Sequence, residues 1–195
     1  MKLSRVNTAL VVVIIAVNIF TIAMPVIPAV SLWIRKHTDA AARLEARIHS
    51  PDGQHEPSEN RLIIPSILLD EKINEGADST ALRSGLWRRP FSAAPDQSSN
   101  TVITGHRFTY NDPQGTFYHL DKLRVGDDIG IIWNDKTYLY KVTNYTVVPA
   151  TATEIEAPTD TPRLTLYTCT PLWFPKDRLV VTAEPWTQTT EESYD

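Results

Sequence analysis

One cysteine stands in the 195-residue chain, Cys169, within Leu164-Thr-Leu-Tyr-Thr-Cys-Thr-Pro171. With no second cysteine an intramolecular disulfide is impossible, so the thiol is either packed inertly or reactive. A lone cysteine in a strand is by default core packing. Its place at the end of an alternating run that Pro171 stops would instead expose it at a barrel rim. A thiol that attacks a carbonyl needs a group to take its proton and return it to a leaving amine, and a donor for the oxyanion that forms. His106 suits the first task because imidazole titrates near neutral pH. It closes a second β run, Asn100-Thr-Val-Ile-Thr-Gly-His106, in which Gly105 lets the backbone turn or approach closely. The remaining histidines, His37, His49, His55 and His119, have no such setting and read as surface or satisfied residues. Arg178 opens Arg-Leu-Val-Val181 nine residues after the cysteine. Alone, an Arg that starts a core strand is a snorkelling surface residue. Thr104, Gly105 and Thr168 flank these groups and are candidates for substrate contact.

The elements that must hold these residues are strands. Val, Ile, Thr, Tyr and Trp are frequent after residue 60, and 14 Pro against 7 Gly favours short strands and fixed turns. Leu62–Leu69 is an apolar run interrupted by Pro65, which suits an edge strand or a bulge. Ile129–Trp133 and Thr137–Val148, joined by Asn134-Asp-Lys136, read as a hairpin with a tight polar turn. Arg163–Cys169 and Arg178–Ala183 complete the set, and only Phe117–Leu123 resembles a helical turn. Several short strands with Pro-rich connections predict an all-β domain, a closed or nearly closed barrel.

Ahead of this domain no residue between Arg5 and Arg35 is charged. The apolar stretch over 9–34 is long enough for a transmembrane helix, with Pro25 and Pro28 kinking its outer end. A cleaved signal peptide is the alternative, but no small-x-small cleavage site is well formed. Lys2 and Arg5 on one side and Arg35 and Lys36 on the other leave the orientation open. The expected organisation is a short cytoplasmic tail (1–8), an anchor (9–34), a stalk and linker (35–60), a catalytic barrel (61–186) and a polar tail (187–195). A net charge of −4, with no basic run interleaved with aromatics, excludes a nucleic-acid partner.

Taken together, Thr-Gly-His106-Arg, Leu-Tyr-Thr-Cys169-Thr-Pro and Asp-Arg178-Leu-Val-Val resemble the sortase signature in order and spacing. Ile64–Asp70, Ser98–His106 and Phe117–Asp127 are similar to further stretches of that family, so the resemblance covers roughly 60 to 185. It implies an eight-stranded sortase-type β-barrel with short helices, and a membrane-anchored cysteine transpeptidase with its catalytic domain outside the cell. Its partners would be surface proteins with a Leu-Pro-x-Thr-Gly-like sorting signal, cleaved after Thr, and an amine acceptor, either a cell-wall precursor or a pilin lysine. Carried over, Cys169 is the nucleophile, His106 the general acid and base, and Arg178 the group that holds substrate and oxyanion. No metal or cofactor is required. The Glu154, Glu156 and Asp160 loop is a place for Ca²⁺, and is read instead as solvated.

Departures bear on subclass. The polar end Gln188–Asp195 is unlike the C-terminal membrane segment of pilin-polymerising sortases, and Asp112-Pro113, followed by Gln114, is not their lid motif. The Thr-Cys-Thr-Pro run and single anchor resemble classes D and E. Two rivals stand beside this reading. Cysteine L,D-transpeptidases carry their His and Cys close together, whereas here they lie 63 positions apart. A silent tethered binding barrel is opposed by the intact Cys, His and Arg set.

Overall fold

The computed structural model describes residues 2–23, 30, 32, 39–49, 59–108 and 116–186. Pro25, Pro28, the linker at 50–58, Asp112-Pro113 and the tail at 187–195 lie outside them. The chain divides into two units, Met1–Thr38 and Asp39–Asp195.

In the first unit, helix α1 (Lys2–Ala23) carries exposed side chains over 6–22. Among the described residues no helix is long and apolar enough to cross a membrane. The expected anchor over 9–34 runs on into residues outside that description.

In the second unit eight strands close into a barrel, in the order β1-β2-β3-β4-β7-β8-β6-β5. They are β1 (Arg61–Ile64), β2 (Leu69–Asn74), β3 (Leu86–Arg88), β4 (Asn100–Thr104), β5 (Asp128–Trp133), β6 (Lys136–Pro149), β7 (Arg163–Thr170) and β8 (Asp177–Pro185). Alternate residues point inward, so Ile103, Leu164, Leu166, Leu179 and Val181 join one buried core within the barrel. The β5–β6 hairpin turns at Asn134 and Asp135 with φ of 50° and 61°, the conformation a tight two-residue hairpin requires.

The run over 62–69, expected as an edge strand or a bulge, is instead two strands. Pro65 opens a 3₁₀ turn (Pro65–Ile67), Leu68 reverses the chain at φ 55°, and β1 pairs on both sides, with β2 and with β5. Proline is tolerated because it follows the last paired residue, Ile64, and closure of the barrel leaves no edge. Strand β3 was not anticipated, because three residues are too few to show an alternating period.

The polar stretch read as a stalk contains a helix that docks on the outer wall. In α2 (Ala40–Ile48), Ile48 is buried against Ile63 and Ile132. Gly130 permits this approach, since a Cβ there would lie 2.4 Å from the Ile48 side chain. Arg47 pairs with Asp70, which also accepts a hydrogen bond from Arg61 Nε at 2.6 Å.

Candidate active site

Two ladders bring the chemistry together. Antiparallel pairing of β7 with β8 sets Cys169 directly opposite Arg178, and Arg178 Nη1 donates to Cys169 Sγ at 3.5 Å. Parallel pairing of β4 with β7 runs from Asn100↔Arg163 to Thr104↔Tyr167. The Thr168 hydroxyl extends that alignment by donating to the Gly105 carbonyl at 2.8 Å, which carries His106 to the level of Cys169. All three side chains line one groove of about 370 Å³, together with Thr104, Gly105 and Tyr167.

The groove lies on the outer wall, near the end of β7. Leu164 and Leu166 belong to the interior core, whereas Tyr167 joins Val102 and Val180 in a second cluster beneath Val148 and Ile155. With a period of two, Cys169 shares the face of Tyr167 and looks outward. Thr168 therefore looks inward. It is 1% exposed and is not among the residues that line the groove, and its hydroxyl fastens β7 to the end of β4. Thr104 lines the groove, but its hydroxyl donates to the Tyr167 carbonyl at 3.0 Å. Gly105 serves by its size. A Cβ there would lie 2.8 Å from Leu86 Cδ2 and 3.0 Å from Phe117 Cδ2. The Phe117 amide donates to the His106 carbonyl at 2.9 Å, which ties down the far side of the histidine.

The facing wall is the β6–β7 connection, where a 3₁₀ turn (Thr153–Glu156) is strapped to the strands. Asn100 Nδ2 donates to the carbonyls of Ile155 and Ala157, at 3.1 and 3.0 Å. Glu156 accepts from Arg89 Nε at 2.9 Å and from the Tyr167 hydroxyl at 2.6 Å, and Arg89 stacks over Trp87 at 4.3 Å. Burial, reinforced by the Glu156 carboxylate, pushes the Tyr167 hydroxyl well above the ordinary tyrosine range, so it stays a donor. Tyr167 and Arg89 were not anticipated, and Glu156 was named only as part of an acidic loop. Tyr167 alone had a signal, lying two residues before Cys169 and hence on its face.

Glu156, considered above for Ca²⁺, is thus engaged by Arg89 and Tyr167. Among the described residues the acid-and-histidine group whose ligand atoms lie within 4.8 Å of one another is Glu45, His49 and Asp128. There Lys141 Nζ donates to Asp128 at 2.6 Å, and His49 Nε2 lies 3.2 Å from Glu45.

A thiol beside a guanidinium, with an imidazole at the same level of an open groove, is equipped for nucleophilic acyl transfer. The Sortase domain family model matches residues 62–186. Among curated proteins there is no match. Solved structures similar to the chain include sortase C-1 from Actinomyces oris, at 30% identity and a TM-score of 0.62, covering 74% of this chain and 80% of that one. Another is sortase E1 from Streptomyces coelicolor with a tripeptide in its active site, at 26% identity and 0.58, covering 66% and 88%. A third, the Clostridium perfringens sortase D5 transpeptidase, shares 22% identity at a TM-score of 0.59, covering 80% and 94%.

Proposed function

The chain belongs to the sortase family, the cysteine transpeptidases that anchor or link proteins, and from that premise we propose that it cleaves a Leu-Pro-x-Thr-Gly-like sorting signal after its Thr and passes the acyl group to an amine. The observation that carries this reading is the 3.5 Å approach of Arg178 Nη1 to Cys169 Sγ in the groove that His106 also lines. Cys169 gives its proton to His106 and its sulfur attacks the Thr carbonyl carbon. Arg178 holds the oxyanion of the tetrahedral intermediate. That intermediate collapses to a thioester as His106 protonates the departing Gly amine. The acceptor amine then attacks the thioester, forms the new amide and releases the Cys169 thiol. No step needs a metal or cofactor.

The surface protein that supplies the signal is one partner. The acceptor, a cell-wall precursor or a pilin lysine, is the other. The Thr-Cys-Thr-Pro run supports a class D or class E member. The apolar stretch over 9–34 supports single-pass anchoring in the cell membrane, with the barrel outside. Alkaline-carbonate extraction checks this: the full chain should stay with the membrane pellet, and release into the wash would contradict it. For the reaction itself, a labelled sorting peptide should be cut by the native protein and left whole by Cys169→Ala.

A further inference from the structure

The β4–β7 ladder ends two residues before His106 and Cys169. Its last registered pair is Thr104↔Tyr167, and β4 itself stops at Thr104 while β7 continues through Cys169 to Thr170. His106 therefore has no strand partner to fix its distance from the thiol.

Arg107 is the next residue along, and its side chain crosses the gap. Arg107 Nη1 donates to Thr170 Oγ1 at 2.8 Å, and Arg107 Nη2 lies 3.1 Å from Asp121 Oδ2 in the 3₁₀ turn Leu120–Lys122. One guanidinium thus joins the residue after His106, the residue after Cys169 and a third element. The grip at Thr170 is firm because the Thr170 carbonyl in turn accepts from the Lys176 amide at 3.2 Å. The Arg107 side chain is only 13% exposed, and among the described residues its buried Nε has no hydrogen-bond partner. A surface arginine would leave such a position for water, since a buried N–H without a partner is unfavourable. Its retention here marks a side chain held by its two other nitrogens.

We propose that Arg107 is the positioning residue of the site: a two-armed strap that sets the His106 imidazole against the Cys169 thiol. It is not among the residues that line the groove, and the proposal rests on the reading that His106 and Cys169 carry the reaction. A fork-shaped guanidinium can hold two oxygens at once in fixed geometry, which a lysine cannot. Misplacement of a catalytic group by about 1 Å is enough to cost on the order of 100-fold in rate.

The test compares Arg107→Gln, Arg107→Lys and Thr170→Val in the full-length protein. For each, the readouts are kcat and KM on a sorting peptide, the pH profile of Cys169 alkylation by iodoacetamide, and the thermal midpoint. Arg107→Gln should lose about 10- to 100-fold in kcat with KM changed less than about threefold, and its alkylation profile should be displaced along the pH axis. Arg107→Lys should recover little. Thr170→Val cuts only the cysteine-side arm and should lose less, in the same direction. When Arg107→Gln and Thr170→Val are combined in one protein, the losses should fall short of adding, as expected for two ends of one contact. Values of kcat and alkylation profiles within twofold of native in Arg107→Gln would overturn the proposal. So would a loss that follows the thermal midpoint while the profile stays put, or a native Thr170→Val if Arg107→Gln does not fold. Failure of the underlying reading would look different: cleavage would persist in Cys169→Ala or His106→Ala, whatever Arg107 does.

Discussion

The chemistry proposed for the groove turns on one residue, Arg178. Its register opposite Cys169 is a property of the β7–β8 ladder, so any long side chain at this position would approach the sulfur. Only a guanidinium offers several N–H groups in a rigid fork, able to serve the sulfur and an oxyanion together. Arg178→Lys keeps the charge and loses the fork. It should therefore lower kcat by about 100- to 1,000-fold, the usual loss for one oxyanion donor, while leaving the thermal midpoint nearly unchanged. Peptide turnover measured beside a melting curve checks both halves, and native turnover would remove Arg178 from the mechanism. Cys169, His106 and Arg178 were legible in the sequence because each ends or opens an apolar β run and the three follow a recognisable order. The inward face of Thr168 was not legible, since adjacency to Cys169 says nothing about face: in a strand, neighbours point to opposite sides.

At the element scale two glycines separate the site from its scaffold. A methyl group at Gly105 would press on Leu86 and on the Phe117 ring, beside the histidine. At Gly130 it would press on Ile48, on the wall that carries α2. Overfilling of this kind costs about 1–3 kcal/mol, so both Ala variants should lose comparable stability. Only Gly105→Ala should lose turnover disproportionately, by about tenfold or more, because it moves His106. Gly130→Ala should instead speed amide hydrogen exchange in 40–48 and keep near-native activity. Equal activity losses in both would mean that the site is not locally positioned. The β5–β6 hairpin was readable from Asn134-Asp135. The docking of α2 was not, because an alternating charged and apolar helix face does not name the surface it will cover.

At the scale of the whole molecule, closure of the barrel explains both the buried core and its response to alkali. Tyr140 lies within that core, and burial pushes its hydroxyl up to about 12 against a weaker, opposing hydrogen bond with Thr101. Tyr167 is shifted the same way. A raised folded-state value means that the stabilisation is fully present below the unfolded tyrosine value of 10.0 and is lost as pH rises through the folded one. Unfolding free energy measured by denaturant titration should therefore be insensitive to these tyrosines below pH 10 and fall between about 10 and 12. Tyr140→Phe should flatten part of that fall. An unchanged alkaline slope in the variant would show that Tyr140 is not the group responsible. The barrel's closure was anticipated from many short strands, but its strand order was not, since the parallel β4–β7 pairing joins segments about sixty residues apart.

Thioester formation on Cys169 is tested by intact-mass spectrometry of the protein incubated with a Leu-Pro-x-Thr-Gly peptide and no added amine. The expected result is an adduct equal to the fragment ending in Thr less one water, located on Cys169, sensitive to hydroxylamine and absent from Cys169→Ala. Cleavage of the peptide without that adduct, or an adduct that survives in Cys169→Ala, would contradict it.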